Sequence, residues 1–168
     1  ISDTLYLNSP TTTPLEKDLL EWLEPYAKIE SEKLADIIFS TGSLVLNQSP
    51  EDTIKSDCKI YEENDITYSV SQIEELGFDN VKNKIKDLKK ALIEFRMSQK
   101  HFFSMLMITD INSHDSLLLV ACDSELKEEI KFPIHSRYSA NLLKGVVSRK
   151  KQLLPYIASM LKNLGIKN

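Results

Sequence analysis

Two dense apolar runs constrain this chain more than any other feature: Phe102 to Ile111 and Leu117 to Cys122, joined by Asn112-Ser113-His114-Asp115. A strand with one wet face alternates apolar and polar residues, and these runs do not, so both read as central strands covered on two faces. Asn-Ser-His-Asp is strong turn chemistry, and Asp110 and Asp115 read as its caps rather than as a paired acid/base site. The cover has to come from helices, and the sequence supplies them. From about Asp79 to Gln99, Val81, Ile85, Leu88, Leu92 and Phe95 share one helical face, while Lys82, Lys84, Lys86, Lys89 and Lys90 form a solvated one. Pro14 opens a helix carrying Leu15, Leu19, Leu20 and Leu23, which ends near Pro25. Ser31 is the candidate N-cap of a second, with Leu34, Ile37 and Ile38 inward and a stop at Gly42. Ser49-Pro50-Glu51-Asp52 starts a short third helix.

Cys58 to Tyr61 and Ile66 to Ile73 flank Glu62-Glu63-Asn64-Asp65 and read as a hairpin, supported by the alternation of Ile66, Tyr68 and Val70. Asp123 or Ser124 caps a brief acidic helix, and Pro133 ends the stretch that follows. Ile1 to Leu7 reads as a strand end and Asn8 to Pro14 as a polar linker. The predicted fold is α/β, a mixed β-sheet flanked by helices in a single domain, which suits 168 residues. The balance of 42% hydrophobic and 27% charged residues is ordinary for a globular chain. No apolar run reaches membrane-spanning length, no signal-peptide layout opens the chain, and no membrane partner is expected. A net charge of -4 without broad basic stretches argues against nucleic acid as a partner. Cys58 and Cys122 fall in predicted strands without metal-ligand spacing, so free thiols in a reducing cytoplasm are expected.

Against that acidic background stands Ser148-Arg149-Lys150-Lys151-Gln152, between an apolar stretch (Leu142, Leu143, Val146, Val147) and an amphipathic helix (Leu153, Leu154, Ile157, Ala158, Leu161, Leu164). One reading is a solvated helix start. The other is an anion trap, because cations at a helix N-terminus oppose the macrodipole unless something negative binds there, and Arg can grip an oxyanion with two hydrogen bonds. His101, His114 and His135 have no spacing that joins them on one metal and read as structural or surface residues.

Gly145-Val146-Val147-Ser148-Arg149-Lys150-Lys151-Gln152 resembles the signature near the C-terminus of family II inorganic pyrophosphatases, manganese-dependent members of the DHH phosphoesterase superfamily. Ile1-Ser2-Asp3-Thr4-Leu5 with Ser9-Pro10-Thr11, Asp57-Cys58-Lys59, and Ile108-Thr109-Asp110-Ile111 followed by Asp115-Ser116 resemble further segments of that family, in the same order. The DHH motif and the paired N-terminal aspartates have no counterpart, and the chain begins at Ile rather than Met. The resemblance therefore implies the second, substrate-binding domain of a larger protein, with residues 1–13 as the end of the catalytic domain and linker and 14–168 as the domain itself.

By resemblance, Lys59, Ser148, Arg149 and Lys150 bind substrate, Asp3 is a metal ligand, and Lys151 is left without a role. The implied partners are pyrophosphate or phosphate and the missing N-terminal DHH domain. The implied cofactor is Mn²⁺, two or more ions in the full-length enzyme, with Mg²⁺ accompanying substrate. No ion is expected on this piece, which has no catalytic residue of its own and is expected to be inactive alone. The full-length protein is expected to be a cytoplasmic homodimer. An exopolyphosphatase of the same superfamily and a non-catalytic phosphate- or nucleotide-binding module are the alternatives.

Overall fold

All eight residues of the strand Phe103–Asp110 are buried, as a strand covered on two faces must be, and its hairpin partner Asp115–Ala121 is nearly as covered. They belong to a six-stranded sheet made by β1 (Cys58–Glu63), β2 (Ile66–Glu75), β3 (Phe103–Asp110), β4 (Asp115–Ala121), β5 (Ile134–His135) and β6 (Ala140–Leu143). Their spatial order is β1-β2-β3-β4-β6-β5. Only β2 and β3 pair in parallel, so the sheet is mixed. A parallel pair needs a crossover. Here it holds α5 (Asp79–Lys82) and α6 (Ile85–Gln99). Among the described residues four α-helices precede the sheet: α1 (Pro14–Leu23), α2 (Ser31–Thr41), α3 (Leu44–Asn47) and α4 (Pro50–Lys55). Then α7 (Ser124–Glu129) follows β4, and α8 (Leu154–Asn163) comes last. This computed structural model describes residues 1–165 apart from Ser2, Asn8, Pro10, Thr11, Gly42 and Asn64. The Gly42 helix stop, and the Ser2, Pro10, Thr11 and Asn64 parts of the expected motifs and turn, lie outside the described residues.

The period-2 alternation of the strands sorts the core into two layers. On one face Ile73, Leu106, Ile108, Leu117 and Leu119 pack against Ile54 of α4, Val81 of α5 and Leu88 and Leu92 of α6. On the other, Tyr68, Val70, Phe103, Met105, Met107 and Leu118 pack beneath Leu126 of α7 and Leu153, Ile157, Met160 and Leu161. The expected α/β architecture is therefore present. Ser49 caps α4 as read from the sequence, accepting the Asp52 N–H at 3.1 Å.

Four local expectations are corrected. The helix read from 79 to 99 is broken: Lys84 N–H turns back to Val81 C=O at 3.0 Å, separating α5 from α6. Residues 3–7 form turns instead of a strand end, with Leu5, Tyr6 and Leu7 at φ 48, 51 and 67. No described strand pairs with this segment, so its backbone closes on itself, Tyr6 N–H to Ile1 C=O at 2.9 Å, while Leu5 buries against Ala35, Ile111 and Val147. The apolar face of α1 is not covered: Leu15 and Trp22 are 63% exposed, and in α2 Ala35 is buried while Ile37 faces solvent. Ser31 is the first helical residue rather than the cap, and its Oγ donates to Glu24 Oε1 at 2.5 Å. The two-residue strand β5 was not legible from the sequence.

Candidate anion-binding site

The signature stands on the α8 face of the sheet, and its backbone is fixed by two carboxamides. Gly145, at φ +67, turns the chain off β6 and donates its N–H to Asp115 Oδ1 at 2.9 Å. Gln152 then folds back: its Oε1 accepts the N–H groups of Val147 (2.9 Å) and Ser148 (3.0 Å), and its Nε2 donates to Gly145 C=O (2.8 Å). From below, Gln72 of β2 accepts the Arg149 N–H at Oε1 (3.1 Å) and donates from Nε2 to Val147 C=O (3.0 Å) and Thr109 Oγ1 (3.3 Å). Ser116 Oγ donates to Val146 C=O at 2.6 Å. Ser148 caps the turn, its Oγ accepting the Lys151 N–H at 3.2 Å.

The turn that follows is not an α-helical start. Arg149–Leu153 is a π-helical turn, with Leu153 N–H reaching Ser148 C=O at 3.2 Å, and it runs directly into α8. Such i→i+5 insertions recur at functional sites. Among the first three N–H groups of this turn, that of Arg149 goes to Gln72 and that of Lys151 to Ser148. The Lys150 N–H between them makes no hydrogen bond among the described residues.

Arg149 is not a free fork. Its Nη1 donates to the carbonyls of Asp57 (2.6 Å) and Val70 (3.0 Å), its Nη2 donates to the Asp57 carboxylate (3.1 Å), and the side chain is only 12% exposed. It therefore ties the signature to β2 and to the residue before β1. Its charge also reaches Tyr61, whose pKa burial raises while Arg149 pulls the other way. Lys59 is exposed and pairs in register with Val70, on the same strand face as Tyr61 and so on the side that carries the signature. Lys150 is exposed, without an ion pair among the described residues. Lys151 is exposed, and its backbone serves the Ser148 cap. Lys59, Ser148, Arg149 and Lys150 are thus gathered on one side of one sheet edge.

Asp3, exposed and in the N-terminal turn, lies close enough to Glu74 for the two carboxylates to repel. Glu74 of β2 has its pKa raised by burial first, then by the carboxylates of Asp57 and Asp3. An acid whose folded pKa is raised loses stability as pH climbs through that pKa and loses none below the unfolded value. Glu74→Gln should therefore raise the melting temperature at pH 7 and leave it unchanged near pH 3.5. Glu74 keeps contact with solvent, so the gain is expected to be small, about 1–3 °C. Thermal melts at the two pH values check this, and an equal gain at both would place the effect elsewhere.

A dinuclear manganese centre needs bridging carboxylates and imidazoles. No group of three or more His, Cys, Asp or Glu among the described residues could hold a metal ion. His101 is buried, its Nδ1 shared with Ser69 Oγ (3.2 Å) and Ser104 Oγ (3.3 Å), and burial lowers its pKa. His114 lies in the β3–β4 turn and His135 in β5. The residues present do not by themselves fit a manganese site, and Asp3 stands as a single carboxylate. Asp110 is a turn cap as expected, accepting the N–H groups of Gly77 (2.8 Å) and Asn112 (2.9 Å) and the Ser113 hydroxyl (2.6 Å). An apolar groove of about 450 Å³ beside α1 lies away from this chemistry, and its two acids, Glu16 and Glu24, are engaged by Thr13 and Ser31.

Sequence reasoning passed over Gln72, Asp57 as the partner of Arg149, and the Thr109–Ser116 pair. A signal for Gln72 existed: it continues the inward register of Ile66, Tyr68 and Val70, where a polar residue needs a buried partner.

The family model described as the DHHA2 domain matches residues 36–160. A Staphylococcus haemolyticus protein named "Probable manganese-dependent inorganic pyrophosphatase" is 30% identical over 161 residues, as are Staphylococcus aureus proteins of the same name. Each alignment covers 96% of this chain and 52% of the relative, so the chain spans about half the length of the curated relatives it matches. Among solved structures, a Methanococcus jannaschii protein provisionally assigned as a family II inorganic pyrophosphatase superposes with a TM-score of 0.80 at 31% identity. That superposition covers 96% of this chain and 52% of that one.

Proposed function

The chain belongs to the DHHA2 domain family, and we propose that it is the substrate-binding part of a longer manganese-dependent inorganic pyrophosphatase that splits pyrophosphate into two phosphates. The observation that carries this reading is the placement of Arg149 and Lys150 on a rigidly held turn, on the same sheet face as Lys59. Pyrophosphate carries several negative charges, and its leaving phosphate gains charge as the bridging bond breaks, so positioned cations stabilise both ground and transition state. Lys150 offers its ammonium and its unpaired N–H, Lys59 a second ammonium, and Arg149 its Nε–H, which makes no hydrogen bond among the described residues. Ser148 holds the turn rather than facing away from it. In this reading residues 1–13 close the preceding catalytic domain and 14–168 form the substrate domain. Asp3 contributes one carboxylate to a Mn²⁺ site completed by the half this chain does not span.

The test is a backbone NMR titration of the 168-residue chain with pyrophosphate. Without the facing half most of the binding energy is missing, so a millimolar affinity is expected, on the order of -4 kcal/mol. Resonances of Ser148 to Gln152 and of Lys59 should move together, and with Mn²⁺ added the same sample should release no phosphate above background. Shifts confined to other residues would overturn the site. Turnover by this chain alone would overturn the division of labour.

A further inference from the structure

Gln72 touches no group that the proposed function uses directly, yet its carboxamide binds both peptides that flank Ser148. The orientation is dictated: exchanging its O and N would set donor against donor at Arg149 and acceptor against acceptor at Val147. Its third contact, to Thr109 Oγ1, anchors the amide to β3, where the Thr109 hydroxyl in turn donates to Ser116 Oγ at 3.1 Å. Ser116 in turn holds Val146 C=O, so side chains from three strands fix the backbone at Val146, Val147 and Arg149. Taking the Arg149 N–H away from solvent leaves the Lys150 N–H as the donor at the front of the turn.

We propose that Gln72 is the positioning residue of this site, acting on a bound phosphate or pyrophosphate oxyanion through the peptides of Val147 and Arg149 without touching it. The proposal rests on the reading of Arg149 and Lys150 as anion ligands. A carboxamide of this length is required, because it must accept from one peptide and donate to another across one residue of chain.

Two variants of the 168-residue chain test it by NMR titration with pyrophosphate at pH 7.5 and pH 4.5, each alongside the wild type so that the anion's own protonation cancels in the ratio. Gln72→Asn keeps a neutral amide one methylene short, and its affinity should be about 5-fold weaker at both pH values. Gln72→Glu replaces the donor with a carboxylate oxygen facing Val147 C=O. It should bind about 10-fold weaker at pH 7.5 and recover to within about twofold at pH 4.5, where a protonated Glu can donate again. In both variants the anion-free resonances of α6, on the opposite face of the sheet, and of α8 beyond Leu154 should stay in place, which a merely structural role would not allow. Wild-type affinity in Gln72→Asn, or no recovery of Gln72→Glu at low pH, overturns the proposal. A wild type whose signature resonances ignore pyrophosphate overturns the anion reading itself, a separate outcome.

Discussion

Phe103→Ala is expected to destabilise the domain by about 3–5 kcal/mol, enough to remove a third or more of the stability typical of such a chain. Phe103 has no solvent exposure and stacks on Tyr68 with ring centroids 4.5 Å apart, and Tyr68 stacks in turn on Tyr61 at 5.3 Å. Truncation removes the transfer energy of a whole ring, leaves a cavity beneath α8, and ends a three-ring stack that contributes beyond its buried area. The melting temperature should fall by roughly 10 °C. The cavity lies on the sheet face that carries the signature, so anion affinity should weaken as well. Ile93→Ala, at a position 48% exposed on α6, is the control and should change little. Thermal and denaturant melts of both variants decide it, and a Phe103→Ala loss no larger than that of Ile93→Ala would mean the layer beneath α8 is not a cooperative core.

What the sequence made legible follows from how far each signal reaches. The apolar runs at β3 and β4 announced their burial because two-sided cover leaves no polar positions, and β3 is buried throughout. Ser49-Pro50 announced α4 because a cap and an N1 proline act within one turn. The signature announced its charge but not its geometry. Whether Arg149 faces solvent or Asp57 depends on a contact 92 residues away, and the two glutamine clamps span 77 and 5 residues. Nothing local distinguishes a glutamine that braces a loop from one that faces water. The same limit explains α1: its leucines have helical spacing, but spacing states which side is apolar and not whether this stretch of chain supplies a surface to cover it.

Arg149→Lys is expected to lose stability as well as anion affinity, although the resemblance marks the residue only as a substrate ligand. The guanidinium satisfies the carbonyls of Asp57 and Val70 and the Asp57 carboxylate at once, and one ammonium cannot reach all three. The Asp57 carbonyl keeps the Gln72 N–H, but the Val70 carbonyl and the Asp57 carboxylate cannot both keep a donor, at a cost of about 1 kcal/mol. The Nε–H donor proposed for the oxyanion disappears with it, so pyrophosphate affinity should fall about 10-fold. Lys150→Ala separates the two effects, since Lys150 is exposed and pairs with no acid among the described residues. It should weaken binding several-fold with an unchanged melting temperature. Melts and pyrophosphate titrations of the two variants provide the measurement. An Arg149→Lys chain that melts like the wild type would mean the Asp57 contact contributes nothing to the fold. One that melts lower but binds pyrophosphate as the wild type does would make Arg149 a brace and leave the anion to Lys150 and Lys59.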